Sequence, residues 1–303
     1  MAGAVIGSTV LEIAKTRKQN MGGAVIGSTI KEKMKSKWGA VNINTSCNLN
    51  CPFCYLGKKP ENRTMTRETS EILANYAAEK WEGVAIIGTE PLLNEESVEI
   101  ANIFARRTRT HIITNCVNLS EFAEKIKAVR RIDISLDGGP ETYCRSKSFE
   151  AIAEGAGKWK NFSDGEIFAL HVLSAGNCRK RNIEDMLRAG PMLGSEKTVF
   201  SPFIRTIGGN HVEPVSLKEI TKILSAFSGE NWILIIDPYH ALIEGRDWDE
   251  MKIEVSSVLS PKNLLIVDFD PGDRIDRVDI DGLTRHPFIA LHPGIKVPGR
   301  ELT

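Results

Sequence analysis

The stretch Val41-Asn-Ile-Asn-Thr-Ser-Cys47-Asn-Leu-Asn-Cys51-Pro-Phe-Cys54 joins two signals in fourteen residues. Its first half alternates β-branched and polar residues, the pattern of a strand, and VNINTS (41–46) reads as one. Its second half packs three cysteines into eight residues. In α/β folds ligands bind beyond the carboxyl ends of strands, so a cysteine loop emptying from a strand lies on the active face.

Downstream of this stretch, strand-like and helix-like segments take turns. TRETSEILANYAAEKW (66–81) reads as a helix with Thr66 as N-cap and with Ile72, Leu73, Tyr76 and Ala77 on one face. GVAIIGT (83–89) is a strand, and NEESVEIANIFARRT (94–108) a helix capped by Asn94. THIITN (110–115), a helix over 120–130 capped by Ser120, RIDISLDG (131–138) and a helix over 148–162 follow. EIFALHVL (166–173), a helix over 182–193, TVFSPFIR (198–205) and SLKEITKILSAF (216–227) complete six β-then-α units. Such alternation implies parallel strands joined by right-handed helical crossovers. An α/β fold follows, either a partial (β/α)6 barrel or a doubly wound sheet. NWILIID (231–237) and LLIVDFD (264–270) extend the sheet or complete an eight-unit barrel.

Three regions are expected: an N-terminal extension over 1–40, a core domain over 41–210, and a C-terminal α/β extension over 211–303 that covers or completes the barrel. GAVIGST occurs at 3–9 and again at 23–29, and two copies do not make a solenoid. The tail HPFIALHPGIKVPGRELT is rich in Pro and Gly and reads as irregular, with His286 and His292 as loop residues.

Lys plus Arg and Asp plus Glu are 39 each, so no overall field draws the chain to nucleic acid or an anionic membrane. No stretch approaches the ~20 apolar residues that span a bilayer, and no basic residue precedes the short apolar run at the start; the expectation is cytoplasmic. The last of six cysteines is Cys178, leaving 125 residues with none. That clustering points to metal binding in a reducing compartment rather than to a disulfide scaffold.

Three thiolates on a short loop can hold three irons of a cubane and leave the fourth without a protein ligand. An open coordination position marks chemistry rather than structure. The alternative is a zinc site, which needs further ligands at a distance; Cys116, Cys144 or Cys178 could supply one.

The spacing Cys47-x3-Cys51-x2-Cys54, with Phe53 before the third cysteine, resembles the signature of radical S-adenosylmethionine (SAM) enzymes. The resemblance implies a partial (β/α)6 barrel and one [4Fe–4S] cluster on Cys47, Cys51 and Cys54. It further implies that the open iron chelates SAM, which one electron cleaves to a 5′-deoxyadenosyl radical. Gly88-Thr89-Glu90-Pro91 is similar to the family's Gly-Gly-Glu-Pro, which receives the SAM ammonium, with Thr89 as a departure. Thr114-Asn115 is similar to a Thr-Asn-Gly, with Cys116 in the Gly position. Ser135-Leu-Asp137-Gly138 lies where the family meets the ribose. Leu173, Asn177 and Pro202 to Arg205 are weaker matches to adenine-flanking positions. The resemblance covers roughly residues 41–210 and is closest to the branch with molybdenum-cofactor and peptide-maturation enzymes.

Each of these residues also has a structural reading. Glu90 could complement a helix dipole, and Asp137 and Asn115 could be turn residues. Cys144 is a candidate hydrogen-atom donor against the commoner free thiol. His171 and Arg205 could face substrate or simply pack. The expected partners are a peptide or small-molecule substrate and a one-electron reductant of flavodoxin or ferredoxin type, with no membrane. The competing functions are a non-catalytic iron–sulfur or zinc protein, and a radical SAM enzyme acting on RNA, which a positive patch at the barrel mouth would favour.

Overall fold

A computed structural model describes residues 38–51, 54, 63–87, 89–143, 148–203, 212–229, 231–266 and 277–278. Strands and helices alternate as β1 (Trp38–Asn42), α1 (Arg67–Lys80), β2 (Gly83–Ile87), α2 (Glu95–Ala105), β3 (Arg109–Thr114), α3 (Leu119–Phe122), β4 (Arg131–Ser135) and α4 (Phe149–Lys160). The order continues with β5 (Glu166–Leu173), α5 (Lys180–Met192), β6 (Lys197–Pro202), α6 (Leu217–Leu224), β7 (Trp232–Ile236), α7 (Pro238–Glu244), α8 (Trp248–Val258), β8 (Leu264–Ile266) and β9 (Arg277–Val278).

All strand pairings are parallel, in the order β8-β7-β6-β5-β4-β3-β2-β1-β9. Sequential strands are neighbours throughout the first eight, as right-handed βαβ crossovers require. The described sheet is open, with β8 and β9 at its edges, so the expectation of a partial barrel holds and that of a closed eight-unit barrel does not.

Period-two alternation assigns the faces. Val84, Ile86, Ile112, Ile132, Ile134, Ile167 and Ala169 pack into one core with helical residues such as Ala74, Phe104 and Trp159. Phe200, Trp232, Leu234 and Ile236 form a second core with Ile183, Ile220 and Met251. Arg131 and Asp133 alternate with Ile132 and Ile134 and therefore project from the other face. They are fully buried, with Nε to Oδ1 at 2.9 Å, and the guanidinium lies 4.5 Å from the centre of the Phe168 ring. Fork geometry and a flanking aromatic suit Arg to that dry position.

Three local expectations are corrected. β1 begins at Trp38, not Val41, because Trp38 to Asn42 pair in register with Gly83 to Ile87, after which the chain leaves the sheet. The helix expected over 120–130 is helical only over Leu119–Phe122 and continues as turns, and Ser120 lies inside it rather than capping it. In α1, Ile72 and Tyr76 are 63% and 47% exposed, and the buried stripe is Ser70, Ala74 and Ala77, leading to Trp81. Small residues allow close approach here: a Cβ on Gly39 would sit 2.0 Å from the Trp81 ring. The caps at Thr66 and Asn94 are as expected, each accepting from the backbone N–H three residues on. Among the described residues no helix is long and apolar enough to cross a membrane.

Candidate active site at the carboxyl ends of the strands

After β1 the chain forms an excursion closed at its base. Met65 N–H donates to Ile43 O (2.8 Å), Thr45 N–H to Arg63 O (2.9 Å) and Arg63 N–H to the Thr45 hydroxyl (2.9 Å). Cys47, Cys51 and Cys54 lie on this excursion, all half-buried free thiols, and Cys54 N–H donates to Cys51 O (3.1 Å). Among the described residues no three His, Cys, Asp or Glu side chains are drawn together closely enough to hold a metal ion. The three thiols share one loop.

Side chains tie this loop to the end of β2. The Thr89 hydroxyl donates to Asn44 O (2.7 Å), and the Asn44 amide donates to Glu90 O (2.8 Å) and to the Ser97 hydroxyl (2.9 Å). Glu90 N–H donates to Ser46 O (3.1 Å). Thr89, the departure from Gly, thus uses its hydroxyl to fasten β2 to the root of the cysteine loop.

Glu90 is 1% exposed. Its Oε1 accepts from the Thr114 hydroxyl (2.6 Å) and Leu92 N–H (2.8 Å), and its Oε2 from Asn115 N–H (2.8 Å). Burial pushes its carboxyl up to about 7, although the bonds from Thr114, Asn115 and Leu92 oppose the rise. Among the described residues no second donor reaches Oε2. Pro91 is buried behind it.

Asn115 ends β3 with its amide fixed on both sides. Its Oδ1 accepts from Val117 N–H (2.9 Å), and its Nδ2 donates to Asn48 Oδ1 (2.8 Å) and to Cys47 Sγ (3.7 Å). Cys116 holds the left-handed region at φ 60° and is 2% exposed; burial first, and the nearby Glu90 charge second, keep its thiol protonated. Left-handed backbone explains a Gly preference at this position.

Ser135 is 4% exposed at the end of β4. Asp137 is placed as a turn residue. It occupies the left-handed region at φ 56°, its Oδ1 accepts from Val172 N–H, and its carbonyl accepts from the Asn177 amide (3.3 Å). Gly139 follows because a Cβ there would lie 2.1 Å from Asp185 O. Asp185, 1% exposed, holds this loop by accepting from Thr142 N–H (2.8 Å), the Thr142 hydroxyl (2.7 Å) and Glu141 N–H (3.0 Å). Leu173 is buried in the second core, and His171 is buried beside Phe200 with ring centres 5.6 Å apart. His171 shares its parity with Leu173 and therefore faces the helix layer rather than a substrate.

Phe53, Gly88, Cys144, Arg205, His286, His292 and both GAVIGST copies lie outside the described residues. Sequence reasoning missed Asn44, Ser97 and Asp185, whose partners at these strand ends are 43 to 53 positions away. It also missed Asp237 and His240 just after β7, buried with Oδ1 and Nδ1 3.1 Å apart. A polar residue one step past an apolar strand was the available signal.

Residues 41–176 match the family described as the Radical SAM superfamily. No curated protein matches the chain. Among solved structures, Streptococcus suis SuiB bound to precursor peptide SuiA is similar at 10% identity and a TM-score of 0.57, covering 86% of this chain and 69% of that one. The structure titled anSMEcpe with bound AdoMet and Kp18Cys peptide gives 16% identity and 0.57, covering 82% and 74%. Another anSMEcpe structure, with AdoMet and Cp18Cys peptide, gives 17% and 0.51, and this chain spans 58% of its length. At these identities the likeness is one of fold.

Proposed function

We propose that this chain, whose residues 41–176 match the Radical SAM superfamily, is a single-cluster radical SAM enzyme whose substrate is a peptide. Cys47, Cys51 and Cys54 hold the [4Fe–4S] cluster, and Gly88, Thr89, Glu90 and Pro91 hold the methionine end of SAM. Asn115, Ser135 and Asp137 complete the cofactor site, and Phe53 flanks the third thiol. When bound, the cluster supplies one electron that cleaves the carbon–sulfur bond of SAM.

The observation that carries the proposal is the buried Glu90 carboxyl, fixed by three donors beside the root of the cysteine loop. A carboxylate so desolvated favours a cation as its remaining partner. A free amino acid ammonium fits that demand, and a zinc site would have no use for it. The three half-buried thiols fit a cluster by their chemistry and by the anchored base of their loop. Buried Thr89, Thr114 and Ser135 exclude water from the same strand ends. Cys144 is the candidate hydrogen donor. Residues 41–210 are the proposed core, and among the described residues after it β7 and β8 extend one edge of the sheet and β9 the other. An external flavodoxin or ferredoxin supplies the electron.

A peptide substrate is supported by two fold matches, SuiB bound to precursor peptide SuiA and anSMEcpe with bound AdoMet and Kp18Cys peptide. The test is anaerobic turnover with SAM, dithionite and a library of deuterated short peptides. Deuterium is expected in the 5′-deoxyadenosine. Formation of unlabelled 5′-deoxyadenosine with an unaltered peptide would remove the peptide assignment.

A further inference from the structure

Cys47 differs in setting from a thiol merely exposed on a loop. Its sulfur accepts from Leu49 N–H (3.3 Å) and from the Asn115 amide (3.7 Å). The second donor comes from another strand, 68 positions away, and its aim is not adjustable. Val117 N–H occupies the amide oxygen and Asn48 the other amide proton, while Glu90 Oε2 holds the backbone N–H of Asn115 itself. The amide is therefore oriented before any cofactor arrives. The same hydrogen-bonded chain runs from Thr114 through Glu90 and Asn115 to Cys47.

An N–H directed at a ligand sulfur stabilises the more negative of two redox states and so raises the reduction potential. Low-dielectric surroundings strengthen the effect, and Asn115 is 6% exposed. We propose that Asn115 is a positioning residue for the Cys47 sulfur, whose side-chain N–H eases one-electron reduction of the cluster that Cys47 helps to hold. The electron comes from the external one-electron donor, and no bond is made or broken. Asn115 thereby couples the SAM carboxylate–ammonium end of the site to the metal end, because Glu90 and Cys47 are its two neighbours.

The inference rests on the cluster assignment proposed above, and the experiment separates the two. Anaerobically reconstituted wild type, Asn115→Ala and Thr114→Val are compared for iron content and for midpoint potential by EPR-monitored redox titration without SAM. Thr114→Val removes a hydrogen bond to Glu90 from the same strand end but leaves the N–H to sulfur. In Asn115→Ala the ratio of reduced to oxidised cluster at a fixed potential is expected to fall about tenfold, ~59 mV for a one-electron couple, with Thr114→Val near wild type. Should Asn115→Ala assemble no cluster, pulsed EPR of reduced wild type and Asn115→Gln, both labelled with 15N-asparagine, decides the matter: a 15N coupling present in wild type and lost in Asn115→Gln supports the contact, and identical spectra overturn it. An unmoved potential in Asn115→Ala, or an equal shift in Thr114→Val, also overturns it. Failure of the wild type to bind iron would instead remove the cluster assignment.

Discussion

Glu90→Gln removes the one carboxylate that three strand ends bury together. In the cofactor-free protein burial raises this group from 4.5 to about 7. A raised folded-state value means that the stability it contributes is fully present below about 4.5, declines as pH rises through 7, and levels off above. At ~1.4 kcal/mol per pH unit the decline amounts to about 3 kcal/mol. Glutamine lacks this dependence but points an amide N–H at Asn115 N–H, which costs ~1–3 kcal/mol at every pH. Urea denaturation of both proteins, free of cluster and SAM, from pH 5 to 8.5 measures the difference. The stability of wild type relative to the variant is expected to fall by about 2.5 kcal/mol across that range. SAM affinity should rise with pH through 7 in wild type and stay flat in the variant, because deprotonation creates the ammonium's partner. Parallel stability curves for the two proteins would refute the reasoning.

Asp185→Ala strips the acceptor from Thr142 N–H, the Thr142 hydroxyl and Glu141 N–H, and should cost ~2–4 kcal/mol in equilibrium unfolding while loosening the loop after Ser135. Gly39→Ala drives a methyl into the Trp81 ring and should destabilise by more than ~2 kcal/mol; recovery in the double variant with Trp81→Leu would tie the loss to that contact. Burial lowers the His240 value, but the Asp237 charge, its hydrogen bonds and the Glu244 charge outweigh it and leave it raised above 6.5. Stability from this pair is thus fully present below pH 6.5 and lost as pH climbs through the higher folded value; His240→Asn should remove that alkaline decline in denaturation curves.

The alternation of β5 and its neighbours was legible because buried parallel strands are unbroken apolar runs, and Glu166–Leu173 matches its expected bounds. Thr66 and Asn94 were legible because capping is local. The buried face of α1 was legible only in Leu73 and Ala77; Ser70 and Ala74 carry little hydrophobic signal and gain their place from the close approach of the sheet, while Ile72 and Tyr76 outweighed them. Residues at the strand ends announced themselves through the cysteine spacing and through Gly88 to Pro91. What joins them did not: the links from Asn44 to Glu90 and Ser97 and from Asn115 to Cys47 span 46, 53 and 68 positions, and no local pattern encodes them. Thr89 illustrates the point. Sequence marks it as a departure, and only geometry shows its hydroxyl fastening two strand ends.

Iron and sulfide content with low-temperature EPR, measured on strictly oxygen-free protein and on Cys51→Ala, tests the central claim most directly. Wild type should hold about four irons and about four sulfides per chain and show, once reduced, a [4Fe–4S] signal that shifts on adding SAM. Cys51→Ala should lose that cluster. Bound zinc in wild type, or a SAM-responsive cluster that survives in Cys51→Ala, would contradict the account.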